Sequence, residues 1–238
     1  MKNILIWLSI LAGTNQAFGQ LYIGTEEVPA KDVKAWIAAS PKDFQGVYHF
    51  GESEAESELV LVVAEGIITA QTRSGEFVRV KGKEQWKLNF ETLSNVRIVG
   101  NRLYSTGWNA EFVRVMDGGK NEYGLKKRGP SNGSANKELI EVGIRKHGVK
   151  DFYDGLYPQA SYQLLQANKL AAYSKAQLAI MRNEIFARYG YIFSTKSGML
   201  PYFKKQQWYQ PSATDVSSSL TEIEKKNIAL LKMLEAKM

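Results

Sequence analysis

The hydrophobic period of this chain shifts between Lys127 and Pro158 from that of a strand to that of a helix, and a linker marks the change. From Phe44 to about Lys127 apolar and polar residues alternate, whereas from Pro158 onward apolar residues recur at helical spacing. Alternation at period two turns one face of a strand toward a core, and the helical period does the same for one stripe of a helix, so neither text fits the other geometry. Between them lies Gly129-Pro130-Ser131-Asn132-Gly133-Ser134-Ala135-Asn136, a run of turn and linker residues. The chain therefore reads as α+β in two domains: a β-rich domain over residues 20–128, a linker over 129–137 and a small all-α domain over 138–238. Glu138 to Lys150, with two glycines, reads equally as helix or strand.

In the β-rich part, Glu58-Leu59-Val60-Leu61-Val62-Val63 is dense in β-branched residues, and Glu65-Gly66 turns it into Ile67-Ile68-Thr69-Ala70. Ser74-Gly75 and Lys81-Gly82 mark further turns, and Gly100-Asn101 is a two-residue hairpin signal. Such strands, joined by tight turns without long crossovers, make an antiparallel meander expected to close as a small barrel or sandwich. Upstream, Pro29 opens an expected short helix with Val33, Trp36 and Ile37 on one face.

Met1-Lys2-Asn3, the apolar run from Ile4 to Ala12 and the small residues of Ala17-Phe18-Gly19 form a secretory signal peptide over residues 1–19, cut before Gln20. The mature chain is expected in the periplasm or outside the cell. It has no cysteine, which excludes disulfides and thiolate-bound metal. No later apolar stretch approaches the roughly 18 residues of a membrane span. Charge is uneven: Gln20 to Val149 holds 18 Lys+Arg against 17 Asp+Glu, and Lys150 to Met238 holds 12 against 7. A basic C-terminal half suits an anionic polymer or lipid surface, and the lack of a lysine or arginine block argues against nucleic acid.

Ser174 followed by Gln177 is a capping box, after which Leu178, Met181, Ile185 and Tyr189 form one apolar stripe. Glu184 and Arg188 stand four apart in the favourable order for an ion pair, and Gly190 ends the helix. Arg182 also falls on the stripe and needs partners there. A last helix starts at a capping box formed by Thr221 with Glu224 or by Ser219 with Glu222, and its apolar face of Ile223, Leu230, Leu231 and Leu234 includes Asn227. Arg182, Glu184 and Asn227, joined by Glu224, are expected to form a polar network that fixes how the two helices cross. Between the helices lie Tyr191, Phe193, Tyr202, Phe203, Trp208 and Tyr209, which read as core, or as a sugar-stacking surface.

Asn183-Glu184-Ile185-Phe186-Ala187-Arg188-Tyr189-Gly190 resembles the motif of the YARHG domain, an extracellular bacterial family. Pro158 and Ser161 upstream, Phe203, Trp208-Tyr209-Gln210-Pro211 and Leu220 to Ile228 extend the resemblance over about residues 156–236. Two positions depart from it: Phe186 replaces a tyrosine and Tyr189 a histidine. A phenol titrates near pH 10, so Tyr189 cannot carry protons or bind metal as a histidine does, and the position is expected to serve packing. The resemblance brings no established activity.

The only imidazoles, His49 and His147, lie in different halves, and no metal or cofactor is expected. No phosphate loop, dinucleotide fingerprint or nucleophile elbow occurs. Glu52, Glu54, Glu56 and Glu58 alternate after Gly51 and read as a solvated loop or strand edge. The expected function is non-catalytic binding at the bacterial cell envelope or exterior, with Trp208, Tyr209, Lys204 and Lys205 meeting a glycan or anionic partner. The alternatives are a carrier holding a small apolar ligand inside the β-domain and a hydrolase with paired carboxylates between the domains.

Overall fold

The computed structural model describes residues 27–51, 56–80, 82–117, 120–128 and 139–238, so the expected signal peptide and linker lie outside the described residues, as do Glu52 and Glu54. The strands are β1 (Glu27–Pro29), β2 (Val33–Ala35), β3 (Gly46–Phe50), β4 (Ser57–Ala64), β5 (Ile67–Val80), β6 (Lys83–Thr92), β7 (Arg97–Val99), β8 (Arg102–Tyr104), β9 (Asn109–Asp117), β10 (Lys120–Arg128) and β11 (Leu139–His147). They form one antiparallel sheet in the order β6-β5-β4-β3-β11-β10-β9-β8-β7, with β1 added to β11 and β2 to β9. Two meanders, β3 to β6 and β7 to β11, are thus joined side by side where β11 pairs with β3. The expected closure into a barrel or sandwich does not occur. The sheet ends at β6 and β7, and the gap is bridged by a loop in which Leu93 N–H donates to Ala70 O at 2.9 Å and Thr106 N–H to Ser94 O at 2.9 Å.

Two local expectations need correction, and one open segment is resolved. The helix opened by Pro29 is a single 3-10 turn, Ala30–Asp32, and does not reach residues 33–37: Val33–Ala35 pairs with β9, Trp36 turns into the core and Ile37 is 76% exposed. The undecided segment after the linker is a strand, and it lies at the centre of the sheet. Its Gly143 blurred the reading because it is there for space: a Cβ would come within 2.4 Å of the Phe50 ring. Ser74-Gly75 is no turn either, since β5 runs straight through it to Val80.

The strands at the centre of the sheet bury both faces, as the nearly unbroken burial of β3 and β4 shows. On the inner face Tyr48, Phe50, Leu59, Leu61, Leu103, Phe112 and Leu125 gather with Trp36 and Phe44 into one core, closed by Phe44 stacked on Phe112 at 3.9 Å. Leu61 on β4 and Leu103 on β8 meet there although four strands separate them, so the sheet curls strongly. On the outer face Val47, Val60 and Val62 pack against Val149, Phe152, Tyr153 and Ile223 from the C-terminal half. Burial on both faces explains why residues 59–63 are continuously apolar.

The C-terminal half holds α1 (Gln159–Tyr162), α2 (Ala167–Leu170), α3 (Lys175–Arg188), α4 (Met199–Phe203) and α5 (Glu222–Lys237). Ser174 caps α3 and Thr221 caps α5, each through a complete capping box. Leu178, Met181, Ile185 and Tyr189 on α3 meet Ile228 and Leu231 on α5 in a core of their own. No helix among the described residues is long and apolar enough to cross a membrane.

Candidate functional site

The polar residues of the 183–190 motif converge on irregular backbone. Residues 154–165 hold only the single-turn α1, so their amide and carbonyl groups must find partners elsewhere. Glu184 accepts from Leu156 N at 3.0 Å and Tyr157 N at 2.9 Å. Arg188 donates from Nε to Asp154 O at 2.6 Å, from Nη2 to Tyr157 O at 3.1 Å and to Glu184 at 3.3 Å. The pair is well buried, with 4% and 1% side-chain exposure, and the hydrogen bonds around it offset the loss of water. Gly155, at φ +109°, is required where it stands, because a Cβ would fall 2.6 Å from Glu184 Oε2. From α5, Asn227 accepts from Leu165 N at 2.9 Å and donates to Ala160 O at 2.8 Å and Gln163 O at 2.7 Å. The motif therefore works as a clasp on this segment.

A second cluster joins the two halves. Glu224, fully buried, accepts from Ser161 Oγ at 2.6 Å, Tyr189 Oη at 2.8 Å and Thr221 N at 2.9 Å, and Arg188 Nη1 donates to Ser161 at 2.8 Å. Burial pushes its carboxyl above the ordinary value even against those donors. Burial also drives the Tyr189 phenol well above its usual range, helped by the Glu224 charge. Tyr189 in turn accepts from Gln71 of β5 at 3.1 Å and packs edge-on against Phe90 of β6 at 5.1 Å. Gln71 and Thr92 both donate to Ser219 O, at 2.8 and 2.7 Å. The residue standing where the resemblance has a histidine is thus a neutral bridge between sheet and helices.

The expected network is split by this geometry. Glu184, Glu224, Arg188 and Asn227 belong to the clasp and the junction, but Arg182 stands apart from them and pairs with Glu235 near the end of α5, at 2.6 and 3.0 Å, and with Asn183 at 3.4 Å. Tyr209 is buried, its hydroxyl donating to Tyr191 O at 2.7 Å, and Trp208 is half-buried against Phe203. These aromatics belong with Phe193 and Phe203 in a packed cluster, so Tyr209 offers no stacking face to a ligand, whereas Lys204 and Lys205 are exposed.

Beside the motif, a cleft of about 220 Å³ runs between α3 and α5, lined by Arg182, Phe186 and Tyr191 and by Asp215, Ser217 and Lys232. Ser217 holds the Asp215 carboxyl below its usual range. Lys232 has no ion pair among the described residues. Charge is sorted around this half. All ten lysines from Lys150 to Lys237 are exposed, while Glu184, Glu224 and Glu235 are taken up internally, leaving Asp151, Asp154, Asp215 and Glu222 outside.

The sequence also hid a convergence of the two histidines. β11 beside β3 brings His147 Nε2 to 3.7 Å and His49 Nδ1 to 3.9 Å from the same Glu58 Oε1, while Arg73 pairs with Oε2. Nothing in the spacing could reveal it without the position of β11. No group of three or more His, Cys, Asp or Glu among the described residues is placed to hold a metal ion.

Residues 153–236 match the YARHG domain family, so the C-terminal half carries a YARHG domain. The match begins at Tyr153, where the irregular segment held by the clasp begins, and covers less than half of the chain. No curated protein and no solved structure shows significant similarity to it.

Proposed function

We propose that this is an exported, non-catalytic binding protein of the bacterial cell envelope or exterior, whose YARHG domain holds an anionic glycan or similar anionic polymer. The sorting of charge carries this reading: the ten lysines of residues 150–237 are all exposed, against four exposed carboxylates, because Glu184, Glu224 and Glu235 are engaged in internal pairs. A diffuse lysine surface attracts a polyanion by long-range field, and the cleft with Lys232 gives one place to seat a residue of it. The carrier alternative needs an open interior, but the inner face of the sheet is filled by Phe44, Tyr48, Phe112 and their neighbours. A hydrolase needs two carboxylates facing a cleft, whereas Glu184 and Glu224 are 1% and 0% exposed. The test is retention of the full chain on purified peptidoglycan, acidic glycans and anionic vesicles. Binding that falls as salt is raised from about 0.02 to 0.5 M is expected, because screening shortens the field. Lys225→Glu with Lys232→Glu should weaken it, and no salt-sensitive retention on any of these surfaces sinks the reading.

A further inference from the structure

One wall of the cleft between α3 and α5 is tied to the end of the 183–190 motif. Gly190, at φ +74°, lets the returning chain pass so close that a Cβ there would lie 2.3 Å from Ser212 Oγ and 2.7 Å from Gln210 O. Gly190 O accepts from Ser212 N at 2.8 Å and from Ala213 N at 3.0 Å, and Ala213 O accepts from Ile192 N at 2.8 Å. Three residues on, Val216 is buried in the core between α3 and α5, and Ser217 N donates to Asp215 Oδ1 at 2.9 Å. The Asp215 carboxylate is therefore held at the cleft by a stretch of chain fixed on both sides of it.

Phe186 and Tyr191 bring half-buried rings to the same cleft, with centroids 6.0 Å apart. Glu235 takes Nε and Nη2 of Arg182 and neutralises that guanidinium, while Nη1 reaches only Asn183, at a long 3.4 Å. Lys232 and Asp215 both line the cleft, both are exposed, and neither has an ion pair among the described residues. A cation and an anion that share a small cleft without reaching each other can both be satisfied by a ligand that carries both charges. A simple anion would satisfy Lys232 and be repelled by Asp215. The cleft of about 220 Å³ has room for about seven waters, at roughly 30 Å³ each, which suits one residue rather than a chain of them.

We propose that this cleft seats a zwitterionic α-amino acid group, its carboxylate met by Lys232 and Arg182 Nη1, its ammonium by Asp215 and its aliphatic part by Phe186 and Tyr191. This deepens the envelope reading and rests on it for the polymer that carries the group: a peptide-bearing glycan can present one at the uncrosslinked end of a diamino diacid. The experiment titrates the isotopically labelled full chain and follows its NMR shifts. The probes are leucine, N-acetylleucine (acid alone), leucinamide (ammonium alone) and phosphoethanolamine (a zwitterion whose acid is a phosphate). Leucine should bind with a Kd on the order of 1 mM, shifting the signals of Arg182, Asp215, Ser217 and Lys232. The two singly charged probes should bind roughly tenfold more weakly. Asp215→Asn, which keeps an acceptor for Ser217 N, should bring leucine down to the level of N-acetylleucine, and Lys232→Gln to that of leucinamide. N-acetylleucine binding as tightly as leucine makes the cleft a plain anion seat, and tighter binding of phosphoethanolamine assigns it to phosphate esters; either result overturns the proposal. Polymer retention without leucine-induced shifts at the cleft overturns this inference alone. Leucine binding without salt-sensitive polymer retention overturns the polymer reading and leaves the cleft its ligand.

Discussion

Single residues in the YARHG domain differ sharply in how far the structure depends on them. Asn227 satisfies three backbone groups of the irregular segment at once, so Asn227→Ala should cost about 3 kcal/mol in chemical denaturation. Arg182 sits on the same apolar stripe in the sequence but keeps 21% of its side chain in solvent against Glu235, and Arg182→Ala should cost only about 1 kcal/mol. The spacing identified both as polar residues needing partners. It could not pair them, because Glu235 lies about two turns beyond Asn227 on α5, outside the motif, and the partners of Asn227 are backbone atoms of a segment with no pattern. Glu224 adds a pH signature. Its folded-state pKa is raised, so the folded protein holds that proton more tightly than the unfolded chain does. The stability it contributes is full below about pH 4.5 and is lost as pH rises through the raised value. Glu224→Gln should remove this slope, and thermal unfolding of both proteins from about pH 4 to pH 8 checks it: the variant loses less stability over the range, whatever its offset.

Among the elements, the same substitution should have opposite reach in two strands. Gly143→Ala drives a methyl into the Phe50 ring at the centre of the sheet and should destabilise the whole fold by about 2 kcal/mol or more. Gly75→Ala displaces the Trp86 ring from the outer end of the β5–β6 hairpin, which β4 does not support. Amide exchange should then quicken between Gly75 and Lys87 while the midpoint of global unfolding barely moves. Both glycines misled the reading of the sequence for one reason. A glycine that signals a turn and a glycine that makes room for an aromatic ring look alike until the facing residue, 93 positions away for Phe50 and Gly143, is known. The capping boxes at Ser174 and Thr221 and the stop at Gly190 were legible because their causes lie within a few residues. The open sheet was not, since closure depends on register accumulated over many strands.

At the scale of the whole molecule, the change of period marks the two architectures but not the seam between them. β11 lies after the linker in sequence and inside the sheet in space, so a chain ending at residue 137 leaves β3 and β10 without their shared neighbour. That truncated chain should show no cooperative unfolding transition in calorimetry. The full chain should show a single one, because Val60, Val62, Phe152 and Ile223 bury one another across the seam. The place of β11 also sets an order in time. Val47 and His147 must find each other across a hundred residues, and the two meanders have no ladder between them until they do. Refolding should therefore be limited by that one long search, as expected where distant pairings dominate. Val47→Ala, which weakens that pairing, should slow refolding in stopped-flow measurements, whereas Phe203→Leu, in the aromatic cluster of the helical half, should mainly speed unfolding.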